Sequence, residues 1–122
     1  ITDLNYGGHV GNEIILGLMH ESRMQYLHHV GFANEIDAIA GYGLIQTDAV
    51  IVYKSETFYG ETLLVEIASV DVTKYGFDFV YKFSKSDKGE EVARGKTGLV
   101  CFDYESRKMV PIPLSFKEKI QP

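Results

Sequence analysis

Near its start the chain carries a carboxylate, an amide and an imidazole in one glycine-rich run, Asp3-Leu-Asn-Tyr-Gly-Gly-His-Val-Gly-Asn12. An imidazole such as His9 moves protons near neutrality, a carboxylate such as Asp3 acts as a base or orients the imidazole, and the Asn5 amide can orient a water or a carbonyl. Gly7, Gly8 and Gly11 open backbone conformations closed to other residues and let a ligand approach the main chain. Asn12 suits an N-cap, Glu13 suits a first turn and an apolar periodic run opens at Ile14, so a helix is expected to start here with its unpaired amides facing the loop. Backbone N–H groups at Gly8, Val10, Gly11 and Asn12 are then candidate donors to an oxyanion. Glu21, further along the same helix, is a second candidate acid. A plainer reading competes with this one: Asp, Asn and Gly build turns and cap helices, and a helical Glu is commonly a solvated ion.

The elements that must position these residues follow from periodicity. Residues 13–30 carry Ile14, Ile15, Leu18, Met19, Ser22, Tyr26 and Val30 on one broad helical face. That is a helix of about five turns, roughly 27 Å long. Leu16 and Leu27 extend the apolar surface, which implies cover on more than one side. Gly31 is the expected stop, and residues 34–40 could form a short second helix before Gly41-Tyr-Gly43. Beyond that break, residues 46–55, 62–73, 77–85 and 92–103 are rich in β-formers and alternate with period two, most clearly at Phe77, Phe79, Tyr81 and Phe83. Short turn signals at Tyr75-Gly76 and Ser86-Asp-Lys-Gly89 make the last three strands an antiparallel meander. One long helix followed by a long, curved antiparallel sheet is an α+β domain. Pro111-Ile-Pro113 reads as a stiff exit into a short terminal helix over 114–120.

Composition bounds the function. The 122 residues form one domain, 45% apolar and 24% charged, which fits a globular chain and not a disordered one. A net charge of −5 without a basic stripe argues against nucleic-acid binding. Cys101 is the one cysteine and sits in an alternating apolar run, so a buried strand thiol in a reducing cytoplasm is expected. No stretch approaches the ~20 apolar residues of a membrane span. His20, His28 and His29 lack the spacing of a helical zinc motif, and Gly7-Gly8 lacks the Lys-Ser/Thr of a phosphate loop, so neither a metal nor a nucleotide is expected.

The loop through His9-Val-Gly-Asn12, followed by His20-Glu-Ser-Arg23 on the helix, resembles the acyl-CoA thioesterases of the hot dog fold, in the 4-hydroxybenzoyl-CoA thioesterase-like branch. That branch typically shows Asp-x-Asp, Gly-His-Val-x-Asn and Glu-Ala-Arg motifs. The strand order to Gly98-Leu-Val-Cys-Phe-Asp103 and the Pro-Ile-Pro tail extend the resemblance over essentially the whole chain. It implies a central helix wrapped by an antiparallel sheet, a homodimer often assembled into a tetramer, an acyl-CoA substrate hydrolysed without cofactor, and sites between subunits. It also implies a strand leading into the loop, so the sequence is expected to begin inside or just after that strand.

One departure lies where the chemistry is expected. The branch commonly carries its catalytic Asp four residues before the position of His9, where this chain has Asn5. An amide cannot serve as base or nucleophile. Asp3 is the available loop carboxylate, though two residues early, and related plant acyl-carrier-protein thioesterases similarly combine Asp, Asn and His. A second group of hot dog thioesterases carries its acid on the helix, which points to Glu21. Thioester hydrolysis would then use His9 for proton transfer, Asn5 to orient water or carbonyl, and Asp3 or Glu21 as the acid, with loop amides as oxyanion donors. Lys54, Lys74, Lys82, Arg94 and Lys96 are candidates for the coenzyme A phosphates. A hot dog hydratase or dehydratase and a non-catalytic acyl-CoA-binding module are the alternatives.

Overall fold

The structure, a computed structural model, describes residues 11–31, 43–58 and 60–120. The loop residues Asp3, Asn5, Gly8, His9 and Val10, and the helix expected over 34–40, lie outside these.

Helix α1 spans Asn12–His29. Its N-cap is Gly11, in extended backbone (φ −64°, ψ 149°) without a side-chain capping bond. Asn12, expected as the cap, is instead the first helical residue. The Ile14 N–H donates to the Gly11 carbonyl at 3.0 Å and closes the first turn. At the other end Gly31 stops the helix as expected, at φ +104°, a conformation that favours glycine.

The buried stripe of α1 runs through Ile15, Met19, Arg23 and Leu27, one residue every fourth position. The broad face read from the sequence is therefore turned: Leu18, Ser22 and Tyr26 flank the stripe, while Leu16 stays 40% exposed. An arginine stands at the centre of the contact.

Among the described residues five strands follow: β1 (Gly43–Tyr53), β2 (Leu63–Val70), β3 (Gly76–Lys85), β4 (Glu91–Asp103) and the two-residue β5 (Lys108–Met109). Their order is β1-β4-β3-β2, with β5 paired to β4 and every pairing antiparallel. The meander expected of the last three long strands is thus β2-β3-β4. β2 stops earlier than its sequence pattern because Asp71 takes a left-handed conformation at φ +52°, which a short polar side chain tolerates.

Alternation decides which side of the sheet is dry. Phe77, Phe79, Tyr81 and Phe83 all point inward and are buried, and they face Leu99, Thr97, Gly95 and Ala93 across the β3–β4 pairing. Phe79 packs edge-on to Phe77 and Tyr26, with ring centroids 4.9 and 5.4 Å away. Helix α2 (Leu114–Ile120), at the residues expected from sequence, buries Phe116 and Ile120 and sets Phe116 5.6 Å from the Phe77 ring. Gly95 seats α1: a Cβ there would lie 2.8 Å from the sulfur and methyl of Met19, so the missing side chain lets the helix settle onto β4.

Candidate active site

The helix start places two of the expected oxyanion donors. Gly11 is buried at the N-cap and Asn12 opens the first turn, so the amides that α1 cannot pair internally cluster at this end. Such an end stabilises negative charge, including charge that develops only in a transition state.

Glu21 lies elsewhere. It is exposed and accepts a hydrogen bond from Gln25 Nε2 at 3.1 Å, one turn further along. Ten residues of helix separate it from Gly11, roughly 15 Å along the axis. Two residues from Arg23, it sits on nearly the opposite face. Within one chain, Glu21 and the helix start are not brought together.

The side chain that sequence reasoning passed over is Arg23. It is 2% exposed. Its guanidinium donates from one terminal nitrogen to Gln46 Oε1 of β1 at 3.2 Å and, more weakly, to the Tyr81 hydroxyl of β3 at 3.4 Å. The other terminal nitrogen lies 2.8 Å from His20 Nδ1. The Tyr81 hydroxyl is also 2.8 Å from Thr97 Oγ1 on β4. A buried charge needs such partners, since desolvation is costly. The signal was available in part: Arg23 stands four residues from both Met19 and Leu27, on an otherwise apolar stripe.

Three of the basic residues considered for coenzyme A phosphates are engaged locally. Lys96 pairs with Asp48 at 3.0 Å and lies 4.0 Å from Asp78. Arg94 forks onto the Glu91 carboxylate. The Lys74 ammonium sits 5.3 Å from the Tyr75 ring centroid. Lys96 holds the Asp48 carboxyl below its ordinary range, helped by the Gly98 N–H that donates to Asp48 Oδ1 at 3.0 Å. That bond sits beside the β-bulge between Gln46 and Asp48.

At the opposite end of the sheet Lys85, buried at 6% exposure, reaches Glu90 at 3.0 Å and Glu61 at 3.3 Å. Glu61 in turn accepts the Phe58 N–H and the Thr57 hydroxyl, so one ion cluster ties the β1–β2 connection to the β3–β4 hairpin. Cys101 is buried as expected, and burial pushes its thiol pKa up, which makes it a poor nucleophile. No helix among the described residues is long and apolar enough to cross a membrane.

A curved antiparallel sheet with a long helix seated on its inner face defines the class, and the solved structures most like it have the same fold. A 1,4-dihydroxy-2-naphthoyl-CoA thioesterase from Synechocystis superposes with a TM-score of 0.88 at 23% identity, over 98% of this chain and 88% of that one. A gentisyl-coenzyme A thioesterase gives 0.84 at 20% identity, over 98% and 93%. A Staphylococcus aureus protein solved in complex with CoA gives 0.87 at 15% identity, over 99% and 80%. A search of curated protein sequences returned no match. The fold is the hot dog fold, α+β, as the sequence resemblance implied. The model of the Thioesterase-like superfamily matches residues 1–120, and the chain belongs to that family.

Proposed function

We propose that this protein is an acyl-CoA thioesterase, hydrolysing a thioester to free acid and coenzyme A without a cofactor. The observation that carries the reading is the start of α1, where a buried glycine cap opens the helix directly after the Asp3–Asn12 loop in a chain of the Thioesterase-like superfamily. In this reading the amides of Gly8, Val10, Gly11 and Asn12 receive the oxyanion, Asn5 orients the water or carbonyl, and His9 transfers the proton. Asp3 or Glu21 supplies the carboxylate. The CoA complex of the Staphylococcus aureus neighbour supports a coenzyme A ligand. The substrates named for two other neighbours make hydroxyaryl-CoA thioesters the first to assay.

Glu21 lies roughly 15 Å along α1 from its own helix start, so as the catalytic acid it would serve the site of a partner subunit. A homodimer through β1 accommodates this. That strand pairs with β4 alone among the described strands, and it leaves Val50 and Val52 55% and 49% exposed. A dimer of such dimers, a tetramer, and a cytoplasmic location complete the reading.

Thiol release from a panel of acyl-CoAs tests it. His9→Ala and Asn5→Ala should lower turnover far more than acyl-CoA affinity, because their contacts matter most in the transition state. Asp3→Asn and Glu21→Gln should separate the acids: the true one loses at least ~100-fold, the usual scale of a general acid or base, and the other changes little. Near-normal turnover in all four variants would remove this site. Binding of acyl-CoA without thiol release from any panel member would replace hydrolysis with a binding module.

A further inference from the structure

We propose that Arg23 is a positioning residue for this site: its buried guanidinium fixes the rotation of α1 against the sheet and sets the proton of His20. The inference rests on the thioesterase reading and adds a residue to it.

Hydrogen-bond chemistry restricts what the cluster can be. A guanidinium only donates. His20 Nδ1, 2.8 Å from Arg23, must therefore accept, which leaves the ring proton on Nε2. Gln46 must turn its oxygen to Arg23, which leaves its amide nitrogen on the far side. Tyr81 accepts from Arg23 and also shares a hydrogen bond with the Thr97 hydroxyl, in which either oxygen can donate. One cation thus bonds directly to groups on α1, β1 and β3.

This control differs in kind from the contacts around it. Ile15, Met19 and Leu27 hold α1 on the sheet by burial, which is non-directional and tolerates sliding and rotation. Hydrogen bonds weaken steeply once bent, so the bonds of Arg23 convert a greasy contact into a fixed angle. The angle matters at the helix surface. A rotation of about 10° moves an atom some 6 Å from the axis by about 1 Å. A misplacement of that size can cost a reaction ~100-fold.

The experiment combines kinetics with nitrogen NMR. In the ligand-free protein, the ring nitrogens of His20 should report the Nε2–H tautomer, and Arg23→Met should shift them away from that pattern. Arg23→Met should also lower kcat by about 10- to 100-fold on the best thioester of the panel while KM moves less than about threefold. Unchanged His20 shifts or unchanged kcat in a folded Arg23→Met protein overturns the proposal. Gln46 is exposed, so its variants keep the test alive if Arg23→Met does not fold. Gln46→Leu removes an acceptor from Arg23 and should reduce kcat several-fold, whereas Gln46→Glu keeps an acceptor oxygen and should restore it. Equal kcat in these two overturns the proposal as well. The His20 spectrum needs no turnover, so loss of the thioesterase reading and loss of the Arg23 role give different results.

Discussion

The two sides of the inner sheet face are built on different principles. Toward α2 the contact is mainly aromatic: Phe77, Phe79 and Phe116 meet edge to face or tilted, with one directional bond from the Ser69 hydroxyl of β2 to the Ile120 carbonyl. Under the middle of α1 the contact is a buried arginine with Gln46, Tyr81 and His20, and every partner is angle-dependent. The aromatic side supplies mainly adhesion and the arginine side mainly geometry. Stability and placement can thus be separated in one small domain.

Substitutions can sharpen that contrast. The largest loss of stability is expected from Phe79→Ala, which empties a fully buried site between Phe77, Tyr26 and Tyr81 and should cost about 3–5 kcal/mol in urea unfolding. Next comes Gly76→Ala. Its Cβ would be driven into the Leu99 carbonyl across the β3–β4 pairing, where backbone cannot yield, and overpacking of this kind costs about 1–3 kcal/mol. Gly95→Ala strains the seat of α1 but meets only the flexible end of Met19 and, at 3.3 Å, the Val50 carbonyl, so thermal unfolding should show a smaller loss than for Gly76→Ala.

Tyr81→Phe keeps the ring in the aromatic row and deletes the hydroxyl that Arg23 and Thr97 share, which should cost about 1 kcal/mol by the same measurement. A loss as large as that of Phe79→Ala would mean that the polar cluster also supplies adhesion, and the contrast between the two sides would fail.

The smallest effect lies at the ion cluster at the end of the sheet. The Phe58 N–H, then Lys85 and Thr57, hold the Glu61 carboxyl below its ordinary 4.5. Its contribution is complete above that value and is lost as pH falls through the depressed one. Lys85 runs the other way. Glu90 and then Glu61 raise it above 10.5, so its contribution is complete below that value and is lost as pH climbs through the raised one. Unfolding temperatures measured below pH ~4.5 should fall less steeply for Glu61→Gln than for the unmodified chain. Identical acid limbs would show that this carboxylate is not linked to folding.

What the sequence determined by itself was the kind and facing of most elements. Alternation at Phe77, Phe79, Tyr81 and Phe83 reports a strand and its dry side because successive side chains must point to opposite faces, and the residues of α2 were legible to the residue. The two-residue β5 was too short to show any period, and the extension of β1 back to Gly43 lay in a glycine-rich break. The family, and with it the hot dog fold, was legible in the loop and helix motifs. The loop residues Asp3, Asn5 and His9 were legible only as chemistry, since residue types name possible roles without fixing distances. Tertiary structure alone decided the pairing of β1 with β4 and the turn of the α1 stripe toward Arg23. The reason is that an arginine reads as a surface residue until its partners are known. Those of Arg23 include Gln46 and Tyr81, 23 and 58 positions away, brought within hydrogen-bonding reach only when the sheet closes beneath the helix.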